Sequence, residues 1–372
     1  MKQYLFIFTQ THLDFRIPEF SSLCQLFGIP DKSGEICKDD VLCTIELEPN
    51  HVAQLLSRAI SIKSVYEIIL QGSDYGDICE QLKISSEKFR VFDSENQSWA
   101  LRIRPYGLKH DISQTNEMID ELVELLPLNK ASVNLSNPSI EFSLIEDFSQ
   151  NRNQKPVATY FGRFIGEGHR SWISKFSLKS RKYIGNSTMD PELALIQANL
   201  VMARPGAIVL DPFCGTGGLI LPASHFGATT VGTEINYQIA RAEGVSARMG
   251  EGKLTANQSV LANFEQYGIA DKFLGILIAD ASRHSLWRYG ENGIFDAITT
   301  DPPYGVREKG RKVGNKKRKP HWTLPGSAHE QHYPEKQVYG ITQVFLDLLN
   351  LAAKVLVISG RIAFWYPVVR NE

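Results

Sequence analysis

Four short strand-like runs in the second half of the chain, three of them mainly apolar, each lead to an acidic residue, and this repetition constrains the fold more than any other feature. They are residues 207–210 before Asp211, 229–233 before Glu234, 274–279 before Asp280, and 294–298 followed by two threonines and Asp301. Continuous apolar runs of this length suit strands buried on both faces, and the stretches between them carry apolar residues at helical spacing. Such alternation predicts a doubly wound parallel α/β sheet, a fold that binds its ligands outside the carboxyl ends of the strands. Singly, each acid reads equally well as a capping carboxylate at a strand-to-helix junction. Together they fall on one edge of one sheet and point to a ligand.

The first acid opens Asp211-Pro212-Phe213-Cys214-Gly215-Thr216-Gly217-Gly218, a strand, a glycine turn and the start of a helix. Glycines let backbone N–H groups and a helix N-terminus come close to a nucleotide-like cofactor. No Lys-Ser/Thr follows them and the spacing Gly-x-Gly-x-x-Gly is absent, which disfavours a triphosphate or dinucleotide loop. Asp211 would repel a pyrophosphate and suits a cofactor bearing a cationic amine. Glu234 lies 23 residues beyond Asp211, close to the spacing of about 20 for a carboxylate that grips ribose hydroxyls. Asp280 suits an adenine amino group. In Asp301-Pro302-Pro303-Tyr304-Gly305 two prolines fix φ and remove two donors, so the loop offers acceptors and an aromatic face. Those features match a nucleobase amine.

At 372 residues the chain exceeds one typical core. Short strands and helices alternate through residues 1–148, predicting an N-terminal α+β region. The segments 89–92 and 133–145 read as strands and 236–249 as a helix. The polar stretch 149–157 is the predicted linker, and 158–372 the second domain. Residues 1–150 carry 13 Lys and Arg against 23 Asp and Glu, whereas residues 151–372 carry 27 against 18. Phosphate attraction is therefore expected from the second part, or the two parts attract one another. The basic run 307–319 reads either as a phosphate clamp beside the acceptor loop or as a solvated loop. No run reaches membrane-spanning length, and Cys24, Cys37, Cys43, Cys79 and Cys214 form no Cys-x-x-Cys pair. A cytoplasmic protein is expected, without disulfide framework, zinc knuckle or metal of its own. His321, His329 and His332 read as loop histidines.

Residues 181–372 resemble S-adenosylmethionine-dependent amino-methyltransferases, and the whole chain resembles the catalytic-subunit family of tRNA guanine-10 N2-methyltransferases. The carriers are the Asp211 to Gly218 octet, Glu234, Asp280, Asp301-Pro302-Pro303-Tyr304-Gly305, and Arg181-Lys182-Tyr183-Ile184-Gly185-Asn186-Ser187-Thr188-Met189-Asp190. At the N-terminal end the resemblance rests on Val133-Asn134-Leu135-Ser136-Asn137-Pro138. It implies a Rossmann-like methyltransferase sheet preceded by a ferredoxin-like piece and a THUMP module that engages tRNA. It also implies S-adenosylmethionine as cofactor, with Thr188, Met189, Asp211 and Phe213 around the pocket. Gly215 and Gly217 would cradle the methionine part, Glu234 would hold the ribose and Asp280 the adenine. Asp301 and the Pro302 carbonyl would accept hydrogen bonds from the guanine amine, in a loop stiffened by Pro303, with Tyr304 stacking on the base. A small zinc-binding activator subunit is the implied partner. The family's sheet continues with two more strands beyond the point where this chain ends, so the strand at 360–367 is expected at an edge.

Overall fold

The computed structural model describes residues 1–149, 155–243, 246–248, 252–255, 257–288, 290–305, 310–314 and 336–368. They form two compact units, residues 1–170 and 171–372.

The first unit contains β1 (Lys2–Phe8), β2 (Leu42–Leu47), β3 (Ile62–Gly72), β4 (Ser98–Tyr106), β5 (Ser132–Val133), β6 (Ile140–Asp147) and β7 (Ala158–Glu167), in one mixed sheet of order β2-β1-β3-β7-β6-β4-β5. Helix α1 (Arg16–Phe27) ends on Gly28 at φ 66°, in the left-handed conformation that glycine adopts without strain. It packs with α2 (Pro49–Leu56) over Phe6, Ile45 and Val65, while α3 (Tyr75–Ser85) and α4 (Ile112–Leu125) cover Leu101, Phe142 and Phe161.

Three expectations need correction here. Strand β7 lies between β3 and β6, antiparallel to both, so residues 158–170 belong to the first unit and the domain boundary falls at 170/171. The stretch 149–157 joins two neighbouring strands, with Val157 N donating to Asp147 O at 2.6 Å; its residues 150–154 lie outside the described residues. A polar hairpin connection and a polar linker have the same composition, which is why the two are confused. Residues 86–92 form a 3-10 helix, because the wholly buried Phe89 must turn inward to meet the rings of Phe142 and Phe161, at 5.7 and 5.6 Å. The strand expected at 133–145 is broken by a turn in which Asn134 Oδ1 accepts from Ser136 N and Asn137 N.

The second unit begins with α5 (Ser171–Lys175) and α6 (Pro191–Leu200), whose N-terminus is capped by Asp190 accepting from Glu192 N and followed by Pro191. Then follow β8 (Ile208–Asp211), α7 (Ile220–His225), β9 (Thr229–Glu234), α8 (Tyr237–Arg241), α9 (Val260–Gln266), β10 (Phe273–Ile278) and β11 (Phe295–Thr300). A two-stranded ribbon of β12 (Arg311–Val313) and β13 (Lys336–Val338) precedes α10 (Ile341–Val355) and β14 (Leu356–Phe364). The helix expected over 236–249 is shorter, ending where Ala242 turns left-handed at φ 54°. Strands β10-β9-β8-β11-β14 form a parallel sheet in that order. Leu210 and Ile298 pack against Phe345, Leu348 and Leu351 of α10. Successive strands run outward from β8 to β10, then resume on its other side at β11. That reversal opens a crevice at the carboxyl ends of β8 and β11, where doubly wound sheets hold ligands. Strand β14 is an edge of this sheet among the described residues.

Candidate active site

The carboxyl ends of β8, β9, β10 and β11 meet at a cavity of about 630 Å³. Nine of the twelve residues singled out from the sequence line it: Thr188, Met189, Asp211, Phe213, Gly215, Glu234, Asp280, Asp301 and Pro303. Gly217, Pro302 and Tyr304 do not. Gly217, at φ 80°, donates its N–H to Cys214 O and closes the turn; a Cβ there would come 3.0 Å from Val260 Cγ1. Pro302 is buried within the loop and Tyr304 is half-buried beside it.

Each of the first three acids is fastened to nearby backbone. Asp211 Oδ1 accepts from Phe213 N at 3.0 Å and from Thr300 Oγ1 at 2.6 Å. Burial pushes its carboxyl up to about 7 in spite of those two hydrogen bonds. Glu234 accepts from Asn236 N with one oxygen and from Gly215 N with the other, at 2.6 and 3.0 Å, tying the glycine turn to β9. Asp280 accepts from Ser282 N at 2.9 Å and from Val313 N at 2.7 Å. A carboxylate has about four acceptor positions, so these oxygens keep capacity for a ligand. Cys214 is buried and its thiol is raised well above the usual range by burial, then by the carboxylates of Asp211 and Glu234. A Cβ at residue 232 would approach its Sγ to 2.4 Å, so Cys214 is a tightly packed residue against Gly232.

The opposite wall comes from the segment before α6. Thr188 Oγ1 accepts from Gly185 N at 2.7 Å and lies 3.0 Å from Thr216 Oγ1, joining this segment to the glycine turn. Asn263, buried in α9, holds the main chain of Tyr183 at both ends: Oδ1 accepts from Tyr183 N at 2.8 Å and Nδ2 donates to Tyr183 O at 2.7 Å. The Tyr183 hydroxyl donates to Ile239 O, and burial pushes its ionisation up to about 12.

Sequence reasoning missed Asn263 and the β12 ribbon, and gave Thr300 no role of its own. An amide between Ala262 and Phe264, and two threonines inside an apolar strand, were their only signs. The ribbon reaches Asp280 through Val313 N, and Arg311 lines the cavity. Of the basic run, residues 307–309 and 315–319 lie outside the described residues, as do His321, His329 and His332.

Residues 2–170 match the Tmrp11 THUMP N-terminal domain family, and residues 179–317 match the RMKL-like methyltransferase domain family. The tRNA (guanine(10)-N(2))-methyltransferase TRMT11 of Gallus gallus is 35% identical over 380 residues, covering 100% of this chain and 80% of the relative. That of Homo sapiens is 36% identical over 382 residues, covering 100% and 81%. Among solved structures, TrmN from Thermus thermophilus is 17% identical with a TM-score of 0.43, over 82% of this chain and 80% of that one. On the strength of the full-length relatives, the chain belongs to the tRNA (guanine(10)-N(2))-methyltransferase TRMT11 family.

Proposed function

We propose that this chain transfers a methyl group from S-adenosylmethionine to the exocyclic N2 amine of a guanosine in tRNA, at position 10 by family membership. One observation carries the assignment of the site: three strand-end acids converge on one cavity with Asp301 and Pro303 of the acceptor loop.

The residues fit the cofactor. The positive φ of Gly215, at 52°, admits a ligand with no Cβ to meet it. Glu234 and Asp280 have acceptor capacity left for ribose hydroxyls and an adenine amine, and Asp211, at the base of the glycine turn, favours a cationic group. Thr188, Met189 and Phe213 supply the surrounding wall. When bound, S-adenosylmethionine supplies an electrophilic methyl group on a sulfonium. Asp301 and the Pro302 carbonyl accept hydrogen bonds from the guanine amine and turn its lone pair out of conjugation, toward the methyl. Directed acceptors and positioning supply the rate. Extruding the base costs a few kcal/mol, and stacking on Tyr304 returns about 1–3 kcal/mol.

The same reading includes a small zinc-binding activator subunit. Supporting it, the edge strand β10 exposes Leu274, Leu277 and Ile278, an apolar surface that a partner would cover. It also places the protein in the cytoplasm, a reducing compartment in keeping with five free cysteines. Transfer of labelled methyl onto tRNA and onto duplex DNA, by the chain alone and with the activator, tests the reading. Incorporation into tRNA alone supports it; incorporation into DNA alone would replace it with a DNA amino-methyltransferase.

A further inference from the structure

Thr300, the residue before Asp301, has a carbonyl oxygen that accepts from two distant donors, Trp365 N at 3.3 Å and Gln197 Nε2 at 3.4 Å. Gln197 lies in α6, is only 3% exposed, and does not line the cavity. Its Nε2 also donates to Ala363 O at 3.0 Å, and its Oε1 accepts from Trp365 Nε1 at 2.6 Å. An indole N–H can only donate, so that contact fixes which end of the amide is the oxygen and leaves the NH2 facing two main-chain carbonyls. One buried amide thereby joins the ends of β11 and β14 to α6. That helix starts two residues after the cavity residue Met189. Arg361 Nη1, donating to Leu200 O at 2.7 Å, adds a second tie between β14 and α6.

Proline has no N–H, so the loop cannot be held by backbone donors at 302 and 303. The strand end out of which it grows therefore bears directly on its position. We propose that Gln197 is a positioning residue for methyl transfer: through Thr300 and Trp365 it sets the place of the Asp301-Pro302-Pro303-Tyr304 loop relative to the Thr188-Met189 wall. It touches neither substrate nor cofactor. The inference rests on the methyltransferase reading above, and it deepens that reading by adding a residue on which the rate of the chemical step depends.

The test uses the full-length chain, with activator added if the wild type requires it, saturated with labelled S-adenosylmethionine and in excess over tRNA. Gln197→Met keeps the length and volume of the side chain while removing every hydrogen bond. Trp365→Phe removes the indole donor and serves if the methionine variant folds poorly. The single-turnover rate constant is expected to fall by about 10- to 100-fold, as small misplacements of reacting groups do. Amplitude per folded enzyme, S-adenosylmethionine affinity and tRNA affinity should stay within about twofold of wild type. A reduced amplitude with an unchanged rate constant in both variants would show a purely structural role and overturn the proposal. So would a loss of cofactor affinity that accounts for the whole change in rate. A wild type that transfers no methyl to tRNA would overturn the parent reading instead.

Discussion

On the side of the cavity proposed to hold the cofactor, Asp211, Glu234 and Asp280 each accept a hydrogen bond from the backbone N–H two residues further along, those of Phe213, Asn236 and Ser282. On the acceptor side, the strand end that presents Asp301 is held from afar. Thr300 bonds to Asp211 across 89 residues, and Gln197 reaches Thr300 across 103. The first arrangement is a turn that a short peptide could encode. The second exists only when the sheet is assembled. Cofactor capture and methyl transfer should therefore separate under mutation, with local changes acting on binding and remote ones on rate.

The largest expected separation is at Asp301. Asp301→Ala should lower methyl transfer by roughly 10²–10³-fold, the scale of losing one directed group in the transition state, while the rise in thermal midpoint with S-adenosylmethionine persists. Loss of that rise would merge the two sides. Glu234→Ala should do the converse. Removing a charged acceptor costs about 1.5–3 kcal/mol, or roughly 10- to 100-fold in cofactor affinity by calorimetry, and transfer at saturating cofactor should recover most of its rate.

Thr300→Val sharpens the comparison, because it cuts the hydroxyl that crosses between the two sides. The buried Asp211 carboxyl then loses a donor, for a cost of about 1–3 kcal/mol in denaturant unfolding. A change below measurement error would mean that this bond contributes nothing to joining β8 and β11. The last prediction is a slope. Asp211 has its carboxyl raised from 3.8 to about 7 in the folded protein, so between those values the folded state keeps a proton that the unfolded chain releases. Stability from this group is full below the lower value and is lost as pH rises through the window. Cofactor-free Asp211→Asn should therefore show a flatter stability profile between about pH 4 and 7 than wild type; parallel profiles would refute the assignment.

The same division explains what could be read from the sequence. Helix α1 is closed by Gly28 and α6 is opened by Asp190-Pro191, and both signals are local, of the kind a sequence displays. The acids at the ends of β8, β9 and β10 were legible, since each sits beside the turn it stabilises. The membership of β7 in the first sheet was not, because its pairing with β3 joins residues as far apart as Ser64 and Glu167. Phe89 was read as part of a strand because ring burial, which bends its segment into a 3-10 turn, leaves no periodicity. Gln197 and Asn263 went unnoticed for a related reason. A lone amide in an apolar helix looks the same whether it faces solvent or bridges three elements.

The most direct measurement is mass spectrometry of nucleosides from tRNA incubated with the chain, S-adenosylmethionine and the proposed activator subunit. The account predicts N2-methylguanosine, formed roughly 10²–10³-fold more slowly when Asp301→Ala replaces the wild type. A methyl group on any other base, or N2-methylguanosine formed equally well by the variant, would contradict it.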